Sequence, residues 1–182
     1  MKTIMLLRHA KSSWDDSSLK DFDRPLAKRG KKDTLRMGRF TKDVKSLPGS
    51  IISSPAKRAE QTVQLFAKSA DIDLSMITWS ENLYYGGARD YLSAVQKAPE
   101  GVDDIMLVGH NPLLEETVSL LSNEGGGYTV RIPTAALVCL EHPAIEWGQV
   151  KPGTARIKWM MIPKLLKNGT FSYSGELPVT SL

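Results

Sequence analysis

The sequence predicts an α/β fold in which a mostly parallel central sheet is covered by helices on both faces, a three-layer α/β/α sandwich. Three short apolar runs, each followed by a polar segment, indicate buried strands, at residues 4–7, 51–52 and 105–108. Stretches with helical spacing of apolar residues lie between them. Strands that alternate with helices favour parallel pairing through right-handed crossovers, and the ends of such strands are where these sheets bind ligands.

The length of 182 residues suits a single domain, because it allows a full hydrophobic core and is shorter than the size at which cores usually divide. We expect that domain to cover residues 1–182. Weak periodicity near the end predicts a mobile tail over residues 166–182. No internal repeat or low-complexity linker suggests a second domain.

The first half of the chain predicts two strands, each followed by a helix. Apolar residues at roughly helical intervals among charged ones indicate that the first helix is amphipathic and exposed, and Pro48-Gly49 ends it. The polar segment before it predicts a loop over the end of the first strand, where binding groups commonly lie. The predicted elements are strand 4–7, loop 11–25, helix 26–45, strand 51–52 and helix 59–70.

The second half continues this alternation and closes with two neighbouring strands. The predicted elements are strand 74–79, helix 91–97, strand 104–110, helix 112–121, and strands 133–141 and 155–162. The continuous apolar character of strand 104–110 implies burial on both faces. A segment with Pro and Gly predicts a hairpin between the last two strands. Gly125-Gly126-Gly127 predicts a turn, because no Lys, Ser or Thr follows at phosphate-loop spacing.

The composition is that of an ordinary globular protein, with 41% apolar and 24% charged residues. The first apolar run is too short to span a bilayer, and Arg8 follows it at once, so we expect a cytoplasmic protein without a membrane partner. The net charge of +4 is spread along the chain with little aromatic interleaving, which argues against nucleic-acid binding. The same positive field would attract phosphorylated substrates.

Arginine and histidine side chains lie at the ends of three predicted strands. Arg8 and His9 follow the first strand, Arg58 lies in the segment after the second, and His110 ends strand 104–110. Because parallel strands present their ends at one edge of a sheet, we expect these four side chains to lie together. They indicate a dianionic ligand, since Arg offers a fixed bidentate fork to phosphate oxygens.

A metal centre is the rival interpretation of these histidines. Zinc needs three or four ligands in a consistent geometry. The chain has three histidines, the third being His142, and its single cysteine, Cys139, lies inside a predicted strand. We therefore expect metal-free phosphate chemistry without a cofactor, a buried Cys139 that packs as a small hydrophobe, and a structural or exposed His142.

Three segments carry motifs in a recognisable order: Leu7-Arg8-His9-Ala10, Ser54-Pro55-Ala56-Lys57-Arg58-Ala59-Glu60-Gln61-Thr62 and Gly109-His110-Asn111-Pro112. Together they resemble the histidine phosphatase, or phosphoglycerate mutase-like, superfamily, from the first strand to about residue 162. The compact length and Asp23-Arg24-Pro25-Leu26 followed by Gly30 are most similar to its SixA-type phosphohistidine phosphatase branch.

This resemblance implies that His9 is the nucleophile and accepts the phosphoryl group as a covalent phosphohistidine. It also implies that Arg8, Arg58 and His110 form the pocket that stabilises charge on the transferred group. Like-charge repulsion from Arg8 and Arg58 is expected to disfavour the protonated form of His9, so that it remains nucleophilic at neutral pH.

The proton donor for the leaving group is less well defined. Relatives of the Asp type carry that residue directly after the second His, where this chain has Asn111, which we expect to cap the following helix. Glu81 is the positional candidate of the Glu type, and a solvated loop carboxylate is its alternative. Arg24 is a candidate for contact with a substrate phosphate or a partner protein, and orienting its loop through Asp23 is the rival role.

The sequence therefore predicts a metal-independent phosphatase that acts through phospho-His9, on a phosphohistidine protein or a related phosphoramidate. Two alternatives stay open. One is a phosphatase for small phosphate monoesters with Glu81 as the acid, and the other is a noncatalytic phosphoprotein-binding module. The expected partner is a phosphorylated protein or a small phosphorylated substrate.

Overall fold

The computed structural model of the chain describes residues 1–123 and 130–167. The strands are β1 (Lys2–Arg8), β2 (Ser50–Ser53), β3 (Ile77–Trp79), β4 (Asp104–Gly109), β5 (Leu137–His142) and β6 (Arg156–Met161). The α-helices are α1 (Lys28–Asp43), α2 (Lys57–Ala70), α3 (Asn82–Tyr85), α4 (Ala88–Gln96) and α5 (Leu113–Asn123). The turn predicted at Gly125-Gly126-Gly127 and residues 168–182 of the predicted tail lie outside the described residues, whereas Leu166 belongs to the 3-10 turn Pro163–Leu166.

The strands form a six-stranded mixed sheet in the order β3-β2-β4-β1-β5-β6. The four strands from β3 to β1 pair in parallel, whereas β5 is antiparallel to both β1 and β6. The prediction of a mostly parallel sheet is therefore wrong. Its cause is the path of the chain before β5: Ala135 N–H donates to the Arg8 carbonyl (3.2 Å), so β5 starts at the C-terminal end of β1 and runs back along it.

Helices cover both faces of this sheet, because successive side chains of a strand point to opposite faces. On one face Ile4 and Leu6 of β1 pack in a buried cluster with residues of α4 and α5. On the other face Met5 and Leu7 pack with residues of α1 and α2. The predicted layering of helix, sheet and helix is present.

Most predicted elements occur near their expected positions, with shifts that local structure explains. The predicted strand at 74–79 begins as a 3-10 turn, Leu74–Met76, and only Ile77–Trp79 pairs with the sheet. The helix predicted at 91–97 starts earlier, at Ala88, because the Asp90 carboxylate accepts the Gly87 N–H (2.8 Å). The last two strands are antiparallel neighbours, as a hairpin requires.

The loop after β1 is fastened to the helix layer beside it. Ala27 N–H donates to the Lys11 carbonyl (2.9 Å), and Gln61 of α2 accepts the Leu26 N–H (2.7 Å). Gly30 is required at the start of α1, because a Cβ atom there would collide with the Lys11 backbone. Across residues 1–123 and 130–167, no helix is long and apolar enough to cross a membrane.

Candidate active site

The sheet order brings the predicted site residues together, because β2, β4 and β1 are neighbours and end at the same edge. His9 N–H donates to the Gly109 carbonyl (3.0 Å), which places the end of β1 beside the end of β4. Thr62 of α2 accepts the Ala10 N–H (3.0 Å) and so ties the start of that helix to β1. These backbone contacts bring Arg8, His9, Arg58 and His110 to one edge.

His9 is buried and held in one tautomer. Its Nδ1 lies 2.8 Å from the Ala10 carbonyl oxygen, which only accepts hydrogen bonds, so Nδ1 carries the proton. The other ring nitrogen, Nε2, receives a hydrogen bond from Arg58 Nε at 3.3 Å. The Nε2 lone pair is therefore the one available for reaction.

The pKa of His9 is lowered to about 4, mainly by burial and to a smaller extent by the charges of Arg58 and Arg8, while its hydrogen bond to the Ala10 carbonyl acts in the opposite direction. The sequence interpretation assigned this effect to like-charge repulsion alone. Desolvation is the larger cause, because the ring lies inside the protein rather than at a solvated strand end. His9 is neutral at physiological pH.

Arg58, in the first turn of α2, donates hydrogen bonds to His9 and Asp21. Besides the bond from Nε to His9, Nη1 donates to the Asp21 carbonyl oxygen (2.6 Å) and Nη2 to Asp21 Oδ2 (2.9 Å). The nearby carboxylate of Glu60 pairs with Lys57 and not with Arg58. Arg58 is thus a buried cation fixed beside the His9 ring.

His110 lies next to His9, with a distance of 5.0 Å between the two ring centroids. Its Nε2 is 2.8 Å from Ser54 Oγ, whereas Nδ1 is buried and has no hydrogen-bond partner among the described residues. Burial lowers the pKa of His110 to about 3, with smaller contributions from His9 and Arg58. A Ser54 hydroxyl that donates to Nε2 leaves the proton on Nδ1, where it can serve an anionic ligand.

Arg8 offers a second orphaned donor at the same edge. Its Nη1 donates to the Ile132 carbonyl (2.7 Å), which anchors the guanidinium, but its Nε is buried without a partner in the described part of the chain. Burial lowers the pKa of Arg8, and Glu115 acts against that shift. Buried donors are normally satisfied, so these unpaired groups indicate a site that an oxyanion would complete.

Arg24 is buried beside the site, and its guanidinium is occupied. Nη1 donates to Asp21 Oδ1 (3.1 Å), Nη2 to Ser12 Oγ (2.7 Å) and Nε to the Ser13 carbonyl (3.2 Å). The guanidinium also stacks on the Trp14 ring at 3.2 Å. Arg24 therefore orients the loop through Asp21 rather than through Asp23, and its predicted contact with a substrate phosphate or a partner protein stays a prediction.

The side chain of Glu81 is exposed at the start of α3 and makes no hydrogen bond or ion pair with the described residues, while its backbone carbonyl accepts the Tyr84 N–H (2.8 Å). Its proposed role as the acid stays a prediction. Tyr84, one turn further along α3, reaches the site instead: its hydroxyl donates to Asp21 Oδ2 (2.8 Å), and its ring lies against that of His110. Asn111 does not cap α5, because its Nδ2 donates to Glu115 (2.6 Å) and its Oδ1 has no partner in residues 1–123 and 130–167.

His9 and the three arginines described above line a cavity of about 260 Å³ at the edge of the sheet, whereas His110 packs against His9 and is not among the lining residues. It is lined by Arg8, His9, Lys11, Ser12, Trp14, Asp21, Arg24, Arg58 and Thr134. The charged side chains among them are cationic except for Asp21. A phosphoryl group is the kind of ligand that this combination of shape, charge and unfilled donors suits.

Sequence reasoning missed three residues that shape the site, Asp21, Ser54 and Tyr84. Ser54 stands inside one of the motifs, so its neighbourhood gave a signal. Asp21 and Tyr84 come from a polar loop and a one-turn helix, and only the folded chain brings them to Arg58. Their spacing in the sequence carries no trace of that contact.

Comparisons with known proteins are consistent with this geometry. The family model described as histidine phosphatase superfamily (branch 1) matches residues 4–83. An uncharacterised chloroplastic protein of Arabidopsis thaliana is 30% identical over 176 residues, which covers 89% of this chain and 78% of the relative. The structure of the SixA protein of Agrobacterium tumefaciens is similar, with a TM-score of 0.73 and 28% identity over 89% of this chain and 98% of that one.

A second solved structure supports the fold. The protein histidine phosphatase SixA complexed with tungstate superimposes with a TM-score of 0.77 and 23% identity, covering 91% of this chain and 99% of that one.

Proposed function

Because this chain belongs to the histidine phosphatase superfamily and is a phosphatase of its SixA-type branch, we propose that it hydrolyses phosphohistidine in proteins through a covalent intermediate on His9. The observation that carries the proposal is the His9 ring. It is neutral, its proton is fixed on Nδ1, and its Nε2 lone pair faces Arg58 in a cavity with unfilled donors.

In the first proposed step the Nε2 lone pair of His9 attacks the phosphorus of the donor. A bond forms between Nε2 and phosphorus, and the bond to the leaving group breaks with its electron pair moving to the leaving atom. The Nε–H of Arg58, which donates to Nε2 in the structure, then turns to a phosphoryl oxygen. Arg8 Nε and His110 Nδ1 supply the other donors for the charged oxygens.

In the second step water attacks the phosphorus of phospho-His9. The bond between Nε2 and phosphorus breaks, its electron pair returns to Nε2, and both water protons leave with the product as dihydrogen phosphate. His9 keeps its Nδ1 proton throughout, held by the Ala10 carbonyl. That proton makes the ring a good leaving group, so neither step requires a cofactor or a metal ion.

The choice of phosphohistidine over a monoester rests on the leaving group. A departing alkoxide needs a proton donor, whereas an imidazole protonated on its distal nitrogen leaves as a neutral ring. Of the residues that line the cavity, Asp21 is the carboxylate, and its hydrogen bonds favour the ionised form. A small-monoester phosphatase with Glu81 as the acid is the alternative, and it needs Glu81 to approach from its exposed position.

The test compares two donors on wild-type protein and on His9→Ala. The donors are a protein phosphorylated on histidine with phosphoramidate, and a phosphoserine peptide as the monoester. We expect wild type to release phosphate far faster from the phosphohistidine protein. His9→Ala is expected to lose turnover by about a thousandfold or more, since the covalent route is gone.

Other outcomes separate the rival functions. Faster turnover of the phosphoserine peptide, with a loss in Glu81→Gln, would establish the monoester phosphatase. Binding of the phosphoprotein without any turnover would establish the binding module. We further propose that this chain is cytoplasmic. Fractionation of cells that express a tagged chain tests this location.

A further inference from the structure

Asp21 places a negative charge inside a cavity that otherwise suits an anion. The remaining charged side chains that line the cavity, Arg8, Lys11, Arg24 and Arg58, are cationic. A carboxylate there repels every phosphate donor. We therefore looked for a favourable contact of Asp21 that would offset this repulsion.

Orienting Arg58 accounts for part of that function. Asp21 Oδ2 accepts hydrogen bonds from Arg58 Nη2 (2.9 Å) and the Tyr84 hydroxyl (2.8 Å), and Oδ1 accepts one from Arg24 Nη1 (3.1 Å). A carboxylate has about four acceptor sites, so three contacts leave capacity for one more. The side chain of Asp21 is 55% exposed, whereas those of Arg58 and Arg24 are 9% and 8% exposed. The carboxylate is fixed but remains accessible at the entrance.

This carboxylate accepts protons poorly and donates none. Partial burial raises the pKa of Asp21, but hydrogen bonds from Tyr84, Arg58 and Arg24 and the charge of Arg58 outweigh that effect and lower it. Asp21 therefore cannot protonate a departing alkoxide. It can accept a hydrogen bond from a leaving group that carries an N–H.

We propose that Asp21 selects phosphohistidine over phosphate monoesters by accepting a hydrogen bond from the distal ring N–H of the departing imidazole, an inference that rests on the proposed function. As Nε2 of His9 attacks, the bond between phosphorus and the donor nitrogen breaks, and its electron pair goes to that nitrogen. The ring leaves as neutral imidazole and keeps the distal proton that faces Asp21.

A monoester gains nothing from this contact. Its leaving oxygen has no N–H to donate and develops negative charge as the bond breaks, which the carboxylate repels. The same residue thus favours one leaving group and disfavours the other. A charge-assisted hydrogen bond is roughly twice as strong as a neutral one, so the two donors should respond differently when the charge is removed.

The experiment measures kcat/KM for free phosphohistidine and for phenyl phosphate with wild type, Asp21→Asn and Asp23→Asn. Asp23→Asn is the matched control, because Asp23 lies on the same 3-10 turn, is exposed, and its side chain has no hydrogen bond to the described residues. We expect the ratio of the two kcat/KM values to fall by at least about tenfold in Asp21→Asn, and to stay at the wild-type value in Asp23→Asn.

Asp21→Ser keeps a short acceptor for Arg58 without the charge, and it must show the same fall in the ratio. If both donors lose the same factor in both Asp21 variants, Asp21 only positions Arg58 and the inference is wrong, while the proposed function stands. If wild type turns over neither these two donors nor the phosphohistidine protein used to test the proposed function, that function fails and the inference fails with it.

Discussion

The two ends of the sheet hold buried histidines in opposite situations. At the C-terminal end of β1, His9 and His110 lie beside the buried guanidinium group of Arg58, and His110 Nδ1 has no partner in the described chain. At the other end, His142 is paired with Lys2 across β5 and β1 and is equally buried. Its Nδ1 accepts the Ala144 N–H (3.0 Å), and its Nε2 lies 2.6 Å from Thr154 Oγ1.

This difference teaches that burial alone does not identify a functional histidine. His142 has neutral partners for both ring nitrogens, so its hydrogen bonds are complete within the fold. His9 and His110 share their surroundings with Arg58 and Arg8, whose positive charges disfavour protonation of the rings. Unfilled donors next to fixed cations mark the end that we propose binds an anion, and complete pairing marks the end that stabilises the fold.

Arg58→Lys should give the largest loss at the functional end. Lysine keeps the positive charge but cannot bond His9, the Asp21 carbonyl oxygen and the Asp21 carboxylate at once. The charge is therefore no longer held in one position beside His9. We expect kcat/KM for the phosphohistidine donor to fall about 10²-fold to 10³-fold. Steady-state phosphate release measures it, and a loss below about threefold would contradict the assigned role.

Lowering the pH should destabilise the protein through the same two histidines. Burial lowers the pKa of His9 to about 4 and that of His110 to about 3, while an unfolded histidine titrates near 6.5. Between these values the unfolded state binds more protons, so the free energy of unfolding falls as the pH falls. The contribution is complete above about pH 6.5 and should decline by a few kcal/mol toward about pH 4.

Urea unfolding across that range measures this effect, with His9→Asn as the comparison. Asparagine does not titrate, so the variant should show a shallower dependence on pH than wild type. Identical slopes for the two proteins would mean that His9 is not held neutral by the fold.

His142→Ala should affect stability and spare turnover. The substitution removes the hydrogen bonds to Ala144 and Thr154 and leaves buried partners unpaired, so we expect the free energy of unfolding to fall by about 2 kcal/mol. Denaturant titration measures the loss, and kcat of the folded fraction should stay within about twofold of wild type. A large loss of kcat without a loss of stability would contradict the comparison, because it would show that His142 acts in turnover and not in stability.

The sequence allowed prediction of those site residues that lie at the ends of parallel strands. Arg8, His9, Arg58 and His110 follow apolar strands, and strand ends meet by the geometry of parallel pairing. The direction of β5 could not be predicted, because it depends on where the preceding segment crosses the edge of β1. Asp21 and Tyr84 were missed for a similar reason: their contacts with Arg58 join segments far apart in the chain.

The covalent intermediate is the central claim, and rapid-quench mass spectrometry tests it most directly. Wild type and His9→Ala are mixed with phosphoramidate, quenched in base within one turnover, and analysed for intact mass, acid lability and the site of attachment. We predict an acid-labile, phosphate-sized adduct on Nε2 of His9 in wild type alone. Turnover without an adduct, an adduct that survives in His9→Ala, or attachment at Nδ1 would contradict the mechanism.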